Sequence, residues 1–167
     1  PSVMCVGQSQ TLIANGASTY TWNSGSNNAS ITISPSVTTT YTLIGASGSC
    51  SNVAVKTISV FSNPTLSISS PTTSICDGKT ITLTANGASS YTWNTGSNSS
   101  SISISPSVTT SYSITGANSA GCLGTAIRNV TVYPVPTLTV VNLAGAVCEG
   151  NTITLLASGA SPYSWTG

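Results

Sequence analysis

The chain repeats itself. The stretch "CVGQSQTLIANGASTYTWNSGSNNASITISPSVTTTYTLIGASGSC" from Cys5 aligns with "CDGKTITLTANGASSYTWNTGSNSSSISISPSVTTSYSITGANSAGC" from Cys76, and a third copy opens at Cys148 as "CEGNTITLLASGASPYSWTG". Trp22, Trp93 and Trp165 hold the same register, as do Pro64 and Pro136, giving a period of 71 or 72 residues. A period of that size is a small domain, so the fold is an array of like modules. The 167 residues divide into a first repeat over 1–63, a complete second over 64–135 and a partial third over 136–167. The first copy lacks the lead-in "PTLSISSPTT" that follows Asn63, and the third stops just after its tryptophan. A partial repeat does not close its own core. The sequence therefore predicts that the molecule continues in both directions or that neighbouring subunits, for instance by donating a strand, complete the ends.

Inside a repeat the hydrophobic period is two. In "TITLTANG" the side chains of Ile81, Leu83 and Ala85 face one way and Thr80, Thr82 and Thr84 the other, the alternation of a half-buried antiparallel strand. Ile102 with Ile104, Tyr112 with Ile114, and Val130 with Val132 extend the inward set. Turn signals at Asp77-Gly78, Asn86-Gly87, Thr95-Gly96 and Ala120-Gly121 recur at the spacing of a sandwich of about seven strands, and no helical pattern occurs. The fold class is all-β, tandem immunoglobulin-like sandwiches. Tryptophan on the third strand with tyrosine on the sixth, Trp22 with Tyr41 and Trp93 with Tyr112, forms the expected aromatic core, and Trp165 is the third copy's member. Stacked aromatics could instead form a sugar platform. In the last strand the inward parity reads Val53 and Val55, then Ile58 and Val60, with a matching change near Arg128 and Asn129, which predicts a β-bulge there or a strand break.

Chemistry is scarce. The charged side chains are Lys56, Asp77, Lys79, Arg128 and Glu149, there is no histidine, and the net charge is +1. General acid–base work and paired-carboxylate hydrolysis lack their groups. A basic footprint for nucleic acid and a carboxylate cage for calcium are also missing. The reading is therefore no catalytic residue, no cofactor, no metal, no nucleic-acid partner and no membrane span. Five cysteines in a chain more than half Ser, Thr, Gly and Asn suggest an oxidising compartment, and the N-terminus lacks a secretory signal, so a mature segment of a longer secreted protein is expected.

The pattern C-x-G, T-[IL]-x-x-A-x-G-A-S-x-Y-x-W-x-x-G, I-x-[IV]-S-P-S-V-T-T-x-Y-x-[IL], G-C and V-T-V resembles the immunoglobulin-like or PKD-like repeats of giant secreted proteins of Bacteroidota, over essentially the whole chain. The resemblance implies export by the type IX secretion system and a role as surface adhesin, gliding adhesin or stalk. It brings no functional residues, because the matched positions are structural, and the C-terminal sorting domain of such proteins is not seen here.

Cysteines number two per complete repeat, Cys5 with Cys50 and Cys76 with Cys122, and Cys148 is left over with its partner outside the segment or in another chain. Pairing within each repeat is the favoured expectation, although the turns that hold such a pair fall at opposite ends of a standard sandwich. The rival is a bond between adjacent repeats or chains, which would make the array a covalent cable. Metal ligation is disfavoured without histidine or C-x-x-C spacing.

Lys56 and Arg128 occupy equivalent positions, as do Asp77 and Glu149, which permits an ion pair at each repeat junction or simply four solvated charges. The linkers "FSNPTL" and "YPVPTL" are short and proline-marked, so successive modules should be held semi-rigidly. Low charge and strand edges without lysine favour association. Sequons at Asn28, Asn98 and Asn129 make glycosylation the competing account of solubility. Two functional readings follow. The preferred one is a non-catalytic structural repeat of an extracellular filament or cell-surface stalk, whose partners are copies of itself or further repeats. The alternative is an adhesin module holding a glycan or surface protein through loops near Asn23–Asn28 and Asn94–Ser101.

Overall fold

The computed structural model describes residues 2–142 and 145–165; parts of the expected first and third repeats, at residues 1, 143–144 and 166–167, lie outside them. All regular structure among the described residues is β. The complete repeat shows the design. Strands β7 (Ser67–Ser69), β9 (Ile81–Asn86) and β11 (Ser101–Ile104) form one sheet in the order β11-β9-β7, and β10 (Ser90–Trp93), β12 (Thr110–Ala117), β13 (Leu123–Tyr133) and β8 (Ser74–Cys76) form the other in the order β10-β12-β13-β8. All pairings are antiparallel except β8 on β13. This is the strand order of an immunoglobulin-type sandwich whose first strand is split, with β7 joining one sheet and β8 the other.

The alternating pattern does what two-fold periodicity dictates. Ile81, Leu83 and Ala85 on β9 are buried, as are Ile102, Tyr112, Ile114 and Val130 from the facing strands, and Trp93 at 2% exposure lies among them with Leu66 and Ile68 from the lead-in. Trp93 donates its indole N–H to the Ser99 carbonyl at 2.8 Å, and Trp22 donates to Asn28 at 3.0 Å, so burial costs neither ring a hydrogen bond. The outward Ser and Thr residues pair across strands, Thr80 with Ser105, Thr11 with Thr32 and Thr40 with Thr57. These hydroxyl pairs replace the charge pairs that usually occupy a solvated sheet face.

The first repeat copies this layout with one strand fewer. β1 (Ser2–Cys5), β6 (Cys50–Phe61), β5 (Thr39–Ser47) and β3 (Thr19–Trp22) form its four-stranded sheet, and β2 (Gln10–Ile13) pairs only with β4 (Ser30–Ile33). Its core gathers Met4, Leu12, Ala14, Trp22, Ile33 and Ile58, with Tyr41 and Leu43 half-buried against it. Among the described residues of the third repeat, β14 (Thr139–Asn142) pairs with β15 (Leu155–Ser158), and Trp165 is 57% exposed.

The bulge expected in the last strand is absent. β6 pairs with β5 without interruption from Thr39–Ile58 to Ser47–Cys50, and β13 pairs with β12 likewise from Thr110–Val130 to Ala117–Leu123. One parity runs through β13, with Gly124, Ala126, Arg128 and Val130 turned inward. Val53 and Val55 are 56% and 64% exposed. The valines misled because β-branched residues suit an exposed strand face, whereas the inward positions near the top of this strand are small to admit the Pro64–Leu66 crossing.

Candidate functional site

No cluster of His, Cys, Asp and Glu able to hold a metal occurs among the described residues, and no helix there is long and apolar enough to cross a membrane. The feature with the most specific geometry is the junction between repeats 1 and 2.

At the junction, the disulfide joins Cys5 to Cys122, 117 residues apart, with Cα atoms 5.5 Å from each other. This overturns the favoured pairing within repeats. Cys5 ends β1 opposite Phe61, while Cys50 opens β6 eleven positions earlier, about 36 Å away at ~3.3 Å per residue. Cys76 stands opposite Tyr133 in the same way, at the far end of β13 from Cys122. The start of one repeat's last strand instead meets the end of the preceding repeat's first, which is the cable arrangement. Cys50, Cys76 and Cys148 are free and exposed.

Asn118 holds that contact in place. Its Oδ1 accepts from the Ala120 and Cys122 amides at 3.0 Å each, and its Nδ2 donates across the junction to the Ser62 carbonyl at 2.9 Å. Cys122 is wholly buried, with its sulfur 3.7 Å from the Phe61 carbonyl oxygen. The five-residue loop between Ala117 and Leu123 corresponds to the tight turn of "GASGSC" in repeat 1, where Ser47 stands for Asn118. That one-residue difference was visible in the alignment as the change of period from 71 to 72, but nothing in it marked Asn118 as a clamp.

The linker then lies flat on repeat 2. A Cβ on Gly87 (φ +101°) would run into the Thr65 carbonyl, and one on Gly124 into the Pro64 carbonyl; at Gly116 it would stand 3.1 Å from Leu66. Three glycines thus form the track over which the lead-in crosses before β7 pairs with β9, Ser67 opposite Asn86 and Ser69 opposite Thr84. Arg128 donates to Ser70 Oγ at 3.0 Å just past β7, while its buried Nε has no partner.

Arg128 therefore bonds within its own repeat and makes no ion pair with Glu149. Among the described residues Lys56, Asp77 and Glu149 make no ion pair either, so the junction of repeats 1 and 2 is joined by disulfide and amide contacts rather than by charge. Trp22, Trp93 and Tyr112 are core residues, and Tyr41 is half-buried. The loops after Trp22 and Trp93 satisfy themselves: Asn23 and Asn94 donate their side-chain amides to Thr40 and Ser111, and Gly25 and Gly96 close turns on the two tryptophans. Asn28, Asn98 and Asn129 are all exposed.

No protein-family model matches the chain, and no curated protein is similar to it. Among solved structures, it is similar to the N-terminal four Ig domains of Dscam1 isoform 7.44, with 12% identity, 78% of this chain and 42% of that one covered, and a TM-score of 0.36. It is also similar to the amphioxus IgVJ-C2 molecule at 14% identity, with 77% and 99% covered and a TM-score of 0.37. The titin domains z1z2, solved in complex with telethonin, align at 14% identity over 80% and 92%, with a TM-score of 0.34. The chain spans less than half the length of the Dscam1 structure. Strand order and pairing in repeat 2, taken by themselves, make the chain a tandem array of immunoglobulin-like sandwiches.

Proposed function

We propose that the chain is a non-catalytic structural module of an extracellular filament or cell-surface stalk, of the kind that Bacteroidota export by type IX secretion, working through series of like repeats and contacts with its own copies. The Cys5–Cys122 bond carries this reading. A disulfide that closes one domain protects that domain, whereas one that ties a repeat to the next transmits tension along an array and requires an oxidising compartment. The flat linker and the Asn118 clamp add stiffness at the same joint. The repeat motif supports the secreted origin, and the five charged side chains support a role without chemistry.

An adhesin that holds glycans by its inter-strand loops draws less support, since the loop amides after both buried tryptophans are used internally. Electron microscopy of native, unreduced material with mass mapping of its disulfides tests the choice. Regular fibres or straight stalks containing Cys5–Cys122 peptides are expected. Isolated globular particles that bind on a glycan array would sink the structural reading.

A further inference from the structure

The two sulfurs of the joint stand in different surroundings. Cys122 is wholly buried, and the turn in front of it is fixed by Asn118, which accepts from the Ala120 and Cys122 amides and donates to the Ser62 carbonyl across the joint. Cys5 is half-buried and lines a groove of about 270 Å³ between the repeats, together with Val6, Gly7, Asn63, Gly121 and Leu123. Cys122 does not line it. A Cβ on Gly7 or on Gly121 would meet nothing within 4 Å, so the groove is open at both, and no charged side chain borders it.

We propose that Cys5 is an exchange site for small-molecule thiols, so that the joint between the repeats opens from one side only. Disulfides are exchanged by attack of a thiolate through a mixed disulfide, and access decides which sulfur is attacked. A thiolate entering the groove bonds to Cys5 Sγ while the bond from Cys5 to Cys122 breaks. The incoming sulfur is oxidised and that of Cys122 is reduced. Cys122 leaves as a thiolate and takes up the proton that the attacking thiol gave to solvent. Its sulfur lies 3.7 Å from the Phe61 carbonyl oxygen, which can accept from the new thiol, so the freed group has a partner where it stands.

The opened joint keeps its shape. The Cys5 amide donates to Gln8 Oε1 at 2.8 Å, the Val6 amide to the Phe61 carbonyl at 2.9 Å and Asn118 Nδ2 to the Ser62 carbonyl at 2.9 Å, and none of these bonds involves the disulfide. Cys122 therefore stays beside the mixed disulfide on Cys5, where a held group attacks at a high effective concentration. Withdrawing the thiol lets Cys122 return to Cys5 and expel the small thiolate, with no oxidant needed. Such a joint is a reversible lock. It needs the contact between repeats 1 and 2 alone and is independent of whether copies assemble into fibres.

The test uses the full chain, with the free and exposed Cys50, Cys76 and Cys148 first capped by N-ethylmaleimide under native conditions. Mercaptoethanol is added, the reaction is stopped early with isotopically labelled maleimide, and the adducts are mapped by mass spectrometry. Mixed disulfide on Cys5 with labelled maleimide on Cys122 is expected. As much or more mixed disulfide on Cys122, or reaction in denaturant only, would overturn the proposal. Asn118→Ala loosens the turn over Cys122 and should bring mixed disulfide onto Cys122 as well; an unchanged preference would show that the turn shields nothing and would overturn one-sided attack. Val6→Asp puts beside the groove the residue type that repeat 2 carries as Asp77. It is expected to slow the attack by about 3-fold at low ionic strength and to have no effect in strong salt, whereas an equal rate at low salt would place the attack outside the groove. Removing mercaptoethanol in the absence of air should restore the Cys5–Cys122 bond and release the bound thiol, and a mixed disulfide that persists would sink the reversible lock.

Discussion

Two glycines at equivalent places make the residue-scale point. Gly16 and Gly87 both sit at positive φ, after the equivalent strands β2 and β9, and any side chain there is strained by about 1–2 kcal/mol. Only Gly87 also lies under a crossing backbone. Gly87→Ala is thus expected to lower unfolding stability by about 3 kcal/mol or more, and Gly16→Ala by about 1–2 kcal/mol, as read from denaturant midpoints at equal m-values; equal losses would mean that the crossing contributes nothing. The requirement for a turn glycine was readable in Asn86-Gly87, since a turn of this kind demands φ above zero. The collision with Thr65 was not, because it depends on a segment more than twenty residues away arriving at a given height above the sheet.

At the scale of the element, the last strand of each repeat presents one continuous parity, and substitutions should report it. Ala126→Asp places a carboxylate on the inward face, against the core, and is expected to cost more than about 3 kcal/mol. Ile127→Lys, at a side chain 72% exposed, should stay within about 1 kcal/mol in the same unfolding experiment. The reverse ranking would restore the bulge. Hydrophobicity alone pointed to the exposed valines, since an alternation shows that two faces exist without saying which one a neighbouring segment will cover. In β9 the two agreed, and Ile81, Leu83 and Ala85 are where the pattern put them.

The whole molecule is governed by its joint. Closing a loop across 117 residues restricts the unfolded chain by about 5 kcal/mol in the entropic account. Cys5→Ser or Cys122→Ser should accordingly separate one cooperative denaturation into two steps and lower the midpoint of at least one; a single unchanged transition would show that the repeats are coupled by other means. Asn118→Ala should weaken the same coupling by about 1–3 kcal/mol, which the separation of those midpoints would reveal. Trypsin offers an independent check. Lys79 is exposed just beyond a turn, whereas Lys56 and Arg128 lie within strands, so cleavage should come first after Lys79. The two fragments should run together on a non-reducing gel and separate on reduction, since Cys5 and Cys122 fall on opposite sides of the cut. Separation without reductant would contradict the inter-repeat bond.

The repeat period, the alternation within each strand and the glycine turns were enough to specify tandem sandwiches and their aromatic cores, because those features depend on residues close together in the chain and on which side of a sheet they face. The cysteine pairing, the inward face of β13 and the role of Asn118 depend on how one repeat is stacked on the next. Cys5 finds Cys122 rather than Cys50 because a fully extended strand separates the two ends of a repeat, while the five-residue linker 62–66 brings the end of one repeat against another. Distances of that kind are set by the stacking of rigid sheets and have no counterpart in spacing along the chain.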